Sequence, residues 1–439
     1  MIGKRKSKSP ANGLFLLVAF FSAVFLTSHL CWSKAQSQSW CKFPMQESNP
    51  KKLGPMDFYV GYLGFIAPAK KGEKVVVHSE FPHCRFLGIA IYDENFMLID
   101  SIADYQIKPK NGINPFLAGV KRDSDWLGEF ELKILMEAPP KGKRPPNTLY
   151  AGFSQKGKRN RFFILGYRIY LQDARYQSKK SSVPLGGVSA PQFVIYNQKG
   201  EPYCPNPMLN RLRFVRAILG NLWKARSIIF KPNLGLGCPQ SPPIWINMAE
   251  KEAQSFLAVV PNPYANYIVA LVDSKFGELL VLRFKPPQTP IETYQGAPFP
   301  QKYDMRYYSI SFNKIDHTKP FVVYGEKTIA DVDFPRLPDG TVQLVVGFGG
   351  MSKPDFVPEE QWVGLKMKKG LIVVRSILPR PDYPGNFWKL PKGKIPPELD
   401  KYTPGGVYCS TEELRENPDI GLRRAQLLKA KFNLVLKDK

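Results

Sequence analysis

The sequence has few histidines and cysteines and lacks the common catalytic motifs. Only His78, His83 and His317 lie beyond the first 35 residues, and no two cysteines have CxxC spacing. A zinc site with the usual Cys and His ligands is therefore not expected. GxSxG, HExxH and P-loop motifs are absent, as is a GxGxxG followed by an acidic residue. We expect no metal and no cofactor, and the sequence leaves any catalytic residue unknown.

Acidic residues are also scarce. The chain has 37 Asp and Glu against 62 Lys and Arg, which gives a net charge of +25. Such a chain is attracted to anionic partners, and the attraction weakens with salt. Because the N-terminal segment predicts export, we expect an anionic lipid or an acidic glycan as partner and no nucleic acid. A lysine-rich surface without a specific partner is the alternative.

The first 35 residues have the pattern of a targeting segment. Basic residues precede an apolar run at 14–26, and a small-x-small pair, Ser33 and Ala35, follows it. This pattern predicts a signal peptide that is cleaved after Ala35. Residues 14–32 are alternatively an uncleaved membrane anchor, since they approach the roughly 20 residues that span a bilayer. Either reading predicts an exported protein in the periplasm or another extracytoplasmic compartment.

Export exposes the cysteines to an oxidising compartment, where some should pair. Of the six cysteines, five lie beyond residue 35. Cys204 and Cys238 flank one irregular segment, so we expect a structural disulfide between them. The odd number leaves at least one further thiol free or paired between chains.

Four blocks of sequence recur in the same order in the two halves of the chain. The paired blocks are 70–82 with 275–287, 85–93 with 306–314, 130–135 with 342–347, and 164–171 with 371–378. The alignment places Arg85 on Arg306 and Arg168 on Arg375. Four matches in one order predict an internal duplication.

Each block has the pattern of a β-strand. FELKIL at 130–135 alternates apolar with polar residues, whereas LIVV at 371–374 is apolar on both faces, as in a fully covered strand. The chain has 41 Pro and 34 Gly, and turn-forming residues separate the blocks. We therefore expect a mainly β protein of two tandem jelly-roll-like β-sandwich modules.

A helical segment is expected to join the two modules. Residues 209–229 have apolar residues at helical spacing with arginines around them, which predicts a basic amphipathic helix. This helix either lies on an anionic membrane or packs against a sandwich with its arginines in water. Ser410 and Glu413 form a capping box that predicts a further helix. The expected division is a targeting segment 1–35, an N-terminal sandwich 45–200, a helical linker 201–258, a C-terminal sandwich 259–395 and a helical tail 396–439.

Three features of the second copy carry a family resemblance: an aromatic-Ser strand, a strand that starts at Asp-Gly, and a Trp followed by an Arg-bearing strand that ends in Pro. The residues are Tyr308 with Ser309, Asp339 with Gly340, and Trp362 with Arg375 and Pro379. This combination resembles the β-sandwich module of exported bacterial proteins catalogued as domains of unknown function twelve-fourteen and twelve-fifty-four. The first copy is similar in a weaker form, with Gly88 in place of the Ser. The resemblance implies paired jelly-roll-like sandwiches in the envelope and supplies no catalytic residue.

The repeated arginines are the candidate site residues. Arg306 and Arg375 lie in strands rich in apolar residues, where an unpaired charge would cost several kcal/mol. With Tyr307 and Tyr308, they would line a pocket that holds an anionic ligand through bidentate hydrogen bonds. The alternative is a structural pair between each arginine and an aspartate. The candidate aspartates are Asp104, Asp304, Asp331 and Asp333.

These patterns together predict an exported cell-envelope protein. We expect a binding or structural module for an anionic or amphiphilic ligand, with a cleft between the two modules as the default site. The alternative is a hydrolase that acts on an envelope polymer or lipid, and a third reading is a purely structural assembly partner.

Overall fold

The structure is a computed structural model, and it describes residues 46–47, 57–117, 127–176, 185–203, 236–248, 262–291, 302–315 and 323–429. The targeting segment 1–35, the expected helix 209–229 and Cys204 lie outside these residues, so their predictions stay untested. Among the described residues, no helix has both the length and the apolar character needed to cross a membrane.

The protein is mainly β. The strands of the N-terminal half are β1 (Gln46–Glu47), β2 (Val60–Pro68), β3 (Lys74–Glu80), β4 (Cys84–Tyr92), β5 (Leu98–Ala103), β6 (Asn111–Gly112), β7 (Gly128–Leu135), β8 (Thr148–Tyr150), β9 (Phe162–Gln172), β10 (Gln192–Tyr196) and β11 (Pro202–Tyr203). They form two sheets. Sheet A has the order β1-β2-β9-β4-β5, and sheet B has the order β11-β10-β3-β7-β6 with β8 parallel to β7.

The C-terminal half forms two further sheets. Its strands are β12 (Ile246–Asn247), β13 (Ala265–Asp273), β14 (Leu279–Phe284), β15 (Tyr307–Ile315), β16 (Val323–Ala330), β17 (Val342–Gly347), β18 (Trp362–Gly364), β19 (Lys369–Ile377), β20 (Gly393–Lys394) and β21 (Val407–Cys409). Sheet C has the order β16-β15-β19-β13-β12-β20. Sheet D has the order β18-β17-β14-β21, and β18 is parallel to β17.

Each half has a core between its two sheets. Sheets A and B enclose side chains such as Phe65, Ile89 and Leu132. Sheets C and D enclose the corresponding layer, which includes Ile310 and Leu344. The expected alternation is present in β7, whose residues are buried and more exposed in turn. These are the packed, two-layer cores of a β-sandwich.

The two halves share strand order and register. In sheet A, β9 lies between β2 and β4, and in sheet C, β19 lies between β13 and β15. Arg168 of β9 lies opposite Tyr62 and Gly88, and Arg375 of β19 lies opposite Tyr267 and Ser309. The matched arginines therefore occupy the same place in their sheets.

Helical structure in the described residues is short. Short 3₁₀ helices cover Asp104–Gln106, Ala174–Tyr176, Ser274–Phe276, Asp331–Asp333, Glu359–Gln361, Phe387–Lys389, Pro397–Tyr402 and Ile420–Arg423. Helix α1 (Thr411–Glu416) has Ser410 as its N-cap residue, and the predicted capping box with Glu413 is confirmed. Strand β21 lies in the segment expected to be a helical tail, yet it pairs with β14, so sheet D extends into that segment.

Candidate functional site

The outer faces of sheets A and C pack against each other. Their contact forms a third apolar core that includes Phe86 and Tyr170 from sheet A and Tyr267, Tyr307 and Val373 from sheet C. The central strands of the two sheets are thus covered on both faces, which explains the apolar character of their outward positions; these strands are β4, β9, β13, β15 and β19. The two outer faces are in contact across this core, and the expected cleft between the halves stays a prediction.

Two buried ion pairs cross this contact in opposite directions. Arg85 of the N-terminal half pairs with Asp331 of the C-terminal half. Arg306 of the C-terminal half pairs with Asp104 of the N-terminal half at 2.7 Å between Nη1 and Oδ1. All four side chains are 0–1% exposed. Since the two arginines begin matching strands and the two aspartates follow matching strands, the interface is reciprocal, as in a two-fold symmetric dimer.

A third buried ion pair is centred on Asp57. Its Oδ2 accepts hydrogen bonds from Arg375 Nη1 at 2.7 Å, from the Tyr307 hydroxyl at 2.7 Å and from the Ser309 hydroxyl at 2.5 Å. Its Oδ1 accepts a hydrogen bond from the backbone N–H of Tyr59 at 3.0 Å. A buried carboxylate with this many donors is well compensated for its loss of water.

The position that corresponds to Asp57 in the C-terminal half is Asn262. The N–H of Val60 donates to the Asp57 carbonyl, and the N–H of Ala265 donates in the same way to the Asn262 carbonyl. The Asn262 amide donates across the interface to the Tyr170 hydroxyl at 2.7 Å. The interface therefore has a carboxylate on one side of the approximate two-fold axis and a neutral amide on the other.

Burial and the facing charges act on the pKa of these groups in opposite directions. Burial raises the pKa of Asp104 and of Asp331, and the neighbouring arginines Arg306 and Arg85 partly offset this rise. Burial also raises the pKa of Tyr62 to about 12 and that of Tyr307 well above its ordinary value. Tyr62 and Tyr307 are therefore neutral over the whole physiological range.

The structure places three of the four candidate site residues at this interface. Arg306, Tyr307 and Arg375 are 0%, 0% and 3% exposed, and each contacts a carboxylate of the N-terminal half. Tyr308 points the opposite way, into the core between sheets C and D. The four residues are therefore not brought together around one pocket, and a ligand-binding role for them stays a prediction.

A small cavity lies beside Tyr308. Its volume is about 10 Å³, and Met305, Ser376, Tyr383 and Tyr402 contribute to its lining. The Tyr308 hydroxyl is buried and has no hydrogen-bond partner among the described residues. A volume of this size holds about one water molecule, so the cavity accommodates a buried water rather than a larger ligand.

The expected disulfide involves one residue outside the described part of the chain. Cys238 is described, but Cys204 is not, so this pairing stays a prediction. The three described cysteines are Cys84, Cys238 and Cys409, and no two of them are bonded to each other. Cys409 is buried, and burial raises the pKa of its thiol to about 12.

Sequence reasoning missed Asp57, the centre of the third ion pair. It named Asp104 and Asp331 among the acceptor candidates, and both are partners of the repeated arginines. The signal for Asp57 is a fifth match between the halves, DFYVGY at 57–62 with NPYANY at 262–267, in which two tyrosines align.

Comparisons with known proteins bear on the fold. No family model matches the chain, and no curated protein matches it. The solved structure of an uncharacterised protein from Burkholderia cenocepacia is similar, with a TM-score of 0.51 at 11% identity over 89% of each chain. A solved structure from Vibrio parahaemolyticus has a TM-score of 0.41 at 9% identity over 78% of this chain and 90% of that chain. The first likeness shows that a fold of this kind occurs in the Burkholderia protein.

Proposed function

We propose that this protein is an exported cell-envelope protein that binds an anionic ligand on the surface of two joined β-sandwiches. In this proposal the halves are tandem copies of one jelly-roll-like module, connected by a helix within the segment 201–258, whose ends carry the short strands β11 and β12. The shared strand order, the matched registers of Arg168 and Arg375 and the reciprocal ion pairs support a duplication. In this proposal, each module is a β-sandwich of the exported bacterial type that the sequence resembles.

The observation that carries the proposal is the location of the charge. Arg85, Arg306 and Arg375 at the interface are each paired with an aspartate, so these three pairs are neutral as a group. The net charge of +25, or +20 after loss of the five basic residues in 1–35, therefore belongs to the rest of the chain. All described lysines are exposed except Lys327, Lys353 and Lys369, which are half-buried. A surface of this kind concentrates anionic ligands from solution.

The packed interface supports a binding role in a second way. Because sheets A and C share a core and three charge pairs, the two sandwiches form a stiff unit whose surface loops keep fixed relative positions. A preorganised surface loses less conformational entropy on binding than two independently moving modules would.

The test combines location with binding. The native protein is isolated from a bacterial host after separation of cytosol, membrane and periplasm, and its N-terminus is determined by mass spectrometry. The purified protein is then titrated with heparin, with phosphatidylglycerol vesicles and with neutral dextran at about 50 and 300 mM NaCl. We expect an exported protein and binding to an anionic probe that weakens at the higher salt concentration. A cytosolic protein that starts at Met1, or one that binds no anionic probe at low salt, would contradict the proposal.

A further inference from the structure

The tetrapeptide KGKR occurs twice, at 141–144 and 156–159, on the two sides of β8. Together with Arg161, the two copies supply seven cations, which we name the basic surface. Its members are Lys141, Lys143, Arg144, Lys156, Lys158, Arg159 and Arg161. All seven residues are exposed, and the chain has no Asp or Glu from residue 138 to residue 172.

The two loops lie against the same stretch of strand β5. Arg144 of the first loop donates to the Asp100 carboxylate at 2.8 Å, and Gln155 of the second loop donates to the Leu98 carbonyl at 2.7 Å. Leu98 and Asp100 are two residues apart on one strand, a distance of about 7 Å. The basic surface is therefore one continuous region rather than two separate loops.

Most of these charges are not neutralised by the protein. Arg144 pairs with Asp100, and Arg161 pairs with Glu94 at 2.7 Å. Arg159 stacks on the Phe153 ring, with its guanidinium carbon 4.5 Å from the ring centroid. The four lysines of the basic surface form no ion pair with any carboxylate in the described ranges. These lysines and Arg159 thus leave an excess of positive charge open to a ligand.

The fold itself does not require cations here. In the C-terminal half, the matching connection between β17 and β18 contains Lys353 but also Asp355, Glu359 and Glu360, and these three acids are exposed. The first of the two connections is thus acidic in one half and basic in the other, whereas the second, between β18 and β19, contains the exposed Lys366 and Lys368 in the C-terminal half.

The composition of the loops indicates which anion fits. Residues 139–147 and 154–161 contain no large apolar side chain, and the adjoining Phe153 is half-buried against Arg159, so the loops lack an exposed apolar anchor of the kind with which membrane-binding surfaces enter a bilayer. Four prolines, at 139, 140, 145 and 146, restrict the backbone on either side of the first KGKR and hold its cations in place. A broad, rigid array of cations without an apolar centre suits a long polymer that carries repeated negative charges.

We propose that the basic surface binds a linear acidic polysaccharide. This inference rests on the proposed function and adds the region of the protein and the class of ligand. Lysine ammonium groups hold carboxylate or sulfate groups along the polymer as point charges, and Arg159 adds a guanidinium that forms no ion pair with the described carboxylates.

The test uses the full-length protein with four Lys→Gln substitutions, K141Q, K143Q, K156Q and K158Q. The matched control is K285Q, K302Q, K389Q and K392Q, which removes the same charge from exposed lysines of the C-terminal half. Circular dichroism and thermal unfolding verify that both variants fold. Affinity for heparin is measured by titration at several salt concentrations. We expect at least about a tenfold loss of affinity and a shallower salt dependence for the first variant, and less than about a twofold loss for the control.

The outcomes separate this inference from the proposed function. An equal loss in both variants would mean that net charge alone binds the polymer, which overturns the basic surface and leaves the proposed function standing. Tighter binding to phosphatidylglycerol vesicles or to a DNA duplex than to heparin would overturn the polysaccharide as ligand. A native protein that binds no anionic probe would overturn both proposals.

Discussion

The pair of Arg306 and Asp104 offers a quantitative test of the interface. Both side chains are 0% exposed, so removal of either one leaves a charge inside the protein without its counterion. Such changes cost about 3–5 kcal/mol of unfolding free energy. For Arg306→Met we expect the lower end of this range, because Asp104 still accepts hydrogen bonds from the backbone N–H groups of Leu87 and Tyr105.

The double variant isolates the coupling between the two residues. Asp104→Asn leaves the guanidinium among the rings of Phe86 and Tyr105, which compensate it only in part. In Asp104→Asn with Arg306→Met, neither charge remains, so the loss should be smaller than the sum of the two single losses by about 2 kcal/mol or more. Urea unfolding of the native protein, the two single variants and the double variant at one pH gives the double-mutant cycle. An unchanged slope m in all four proteins verifies that unfolding stays two-state.

An exposed pair provides the control for this cycle. Arg161 and Glu94 are also 2.7 Å apart, but the Arg161 side chain is 64% exposed. The coupling energy from Arg161→Gln and Glu94→Gln should be below about 1 kcal/mol, because solvent screens the pair. If the losses at Arg306 and Asp104 add to within about 0.5 kcal/mol, as they do for independent sites, the account of the interface given above is refuted.

Three further predictions follow from single residues. Burial raises the pKa of the Cys409 thiol to about 12, so iodoacetamide at pH 8 should alkylate Cys409 only after denaturation, and peptide mass spectrometry that finds equal labelling in the native protein would contradict this. Burial lowers the pKa of His78, so the contribution of the neutral His78 to stability is present above the ordinary pKa of about 6.5 and is lost as the pH falls through the folded-state pKa. His78→Gln should therefore reduce the fall in unfolding free energy between pH 7 and pH 5. An NMR titration that finds an unshifted or raised pKa for His78 would exclude this prediction. Ser410 caps helix α1 through the N–H of Glu413, so Ser410→Ala should cost about 1 kcal/mol in urea unfolding, whereas an unchanged midpoint would show that the cap is dispensable.

The strands were predictable because their signal is local. The paired blocks fall on β3 with β14, β4 with β15, β7 with β17 and β9 with β19, and the aligned residues Leu132 and Leu344 lie opposite Val77 and Leu282 in matching registers. Alternation in β7 and double-sided apolar character in β19 follow directly from which faces are covered. Such patterns depend on a few neighbouring residues, so they can be recognised without knowledge of the rest of the chain.

The interface was less predictable because it depends on contacts between distant residues. An outward apolar position in β19 has the same sequence character whether a ligand, a membrane or another sheet covers it. The partners of the arginines lie 202 to 318 residues away along the chain, and Asp57 precedes its strand in a segment without a strong pattern. The shared core of sheets A and C and the reciprocal pairs of Arg85 and Arg306 show that the halves cover each other.

The two buried ion pairs that cross the interface also determine the order in which the protein can fold. A ribosome delivers Arg85 and Asp104 more than 200 positions before Arg306 and Asp331, whose side chains they require. Until then, the first sandwich presents an apolar sheet with unmatched charges to its surroundings. Docking of the second sandwich is therefore a late event in maturation, and the nascent first half is the form that most needs protection by a chaperone.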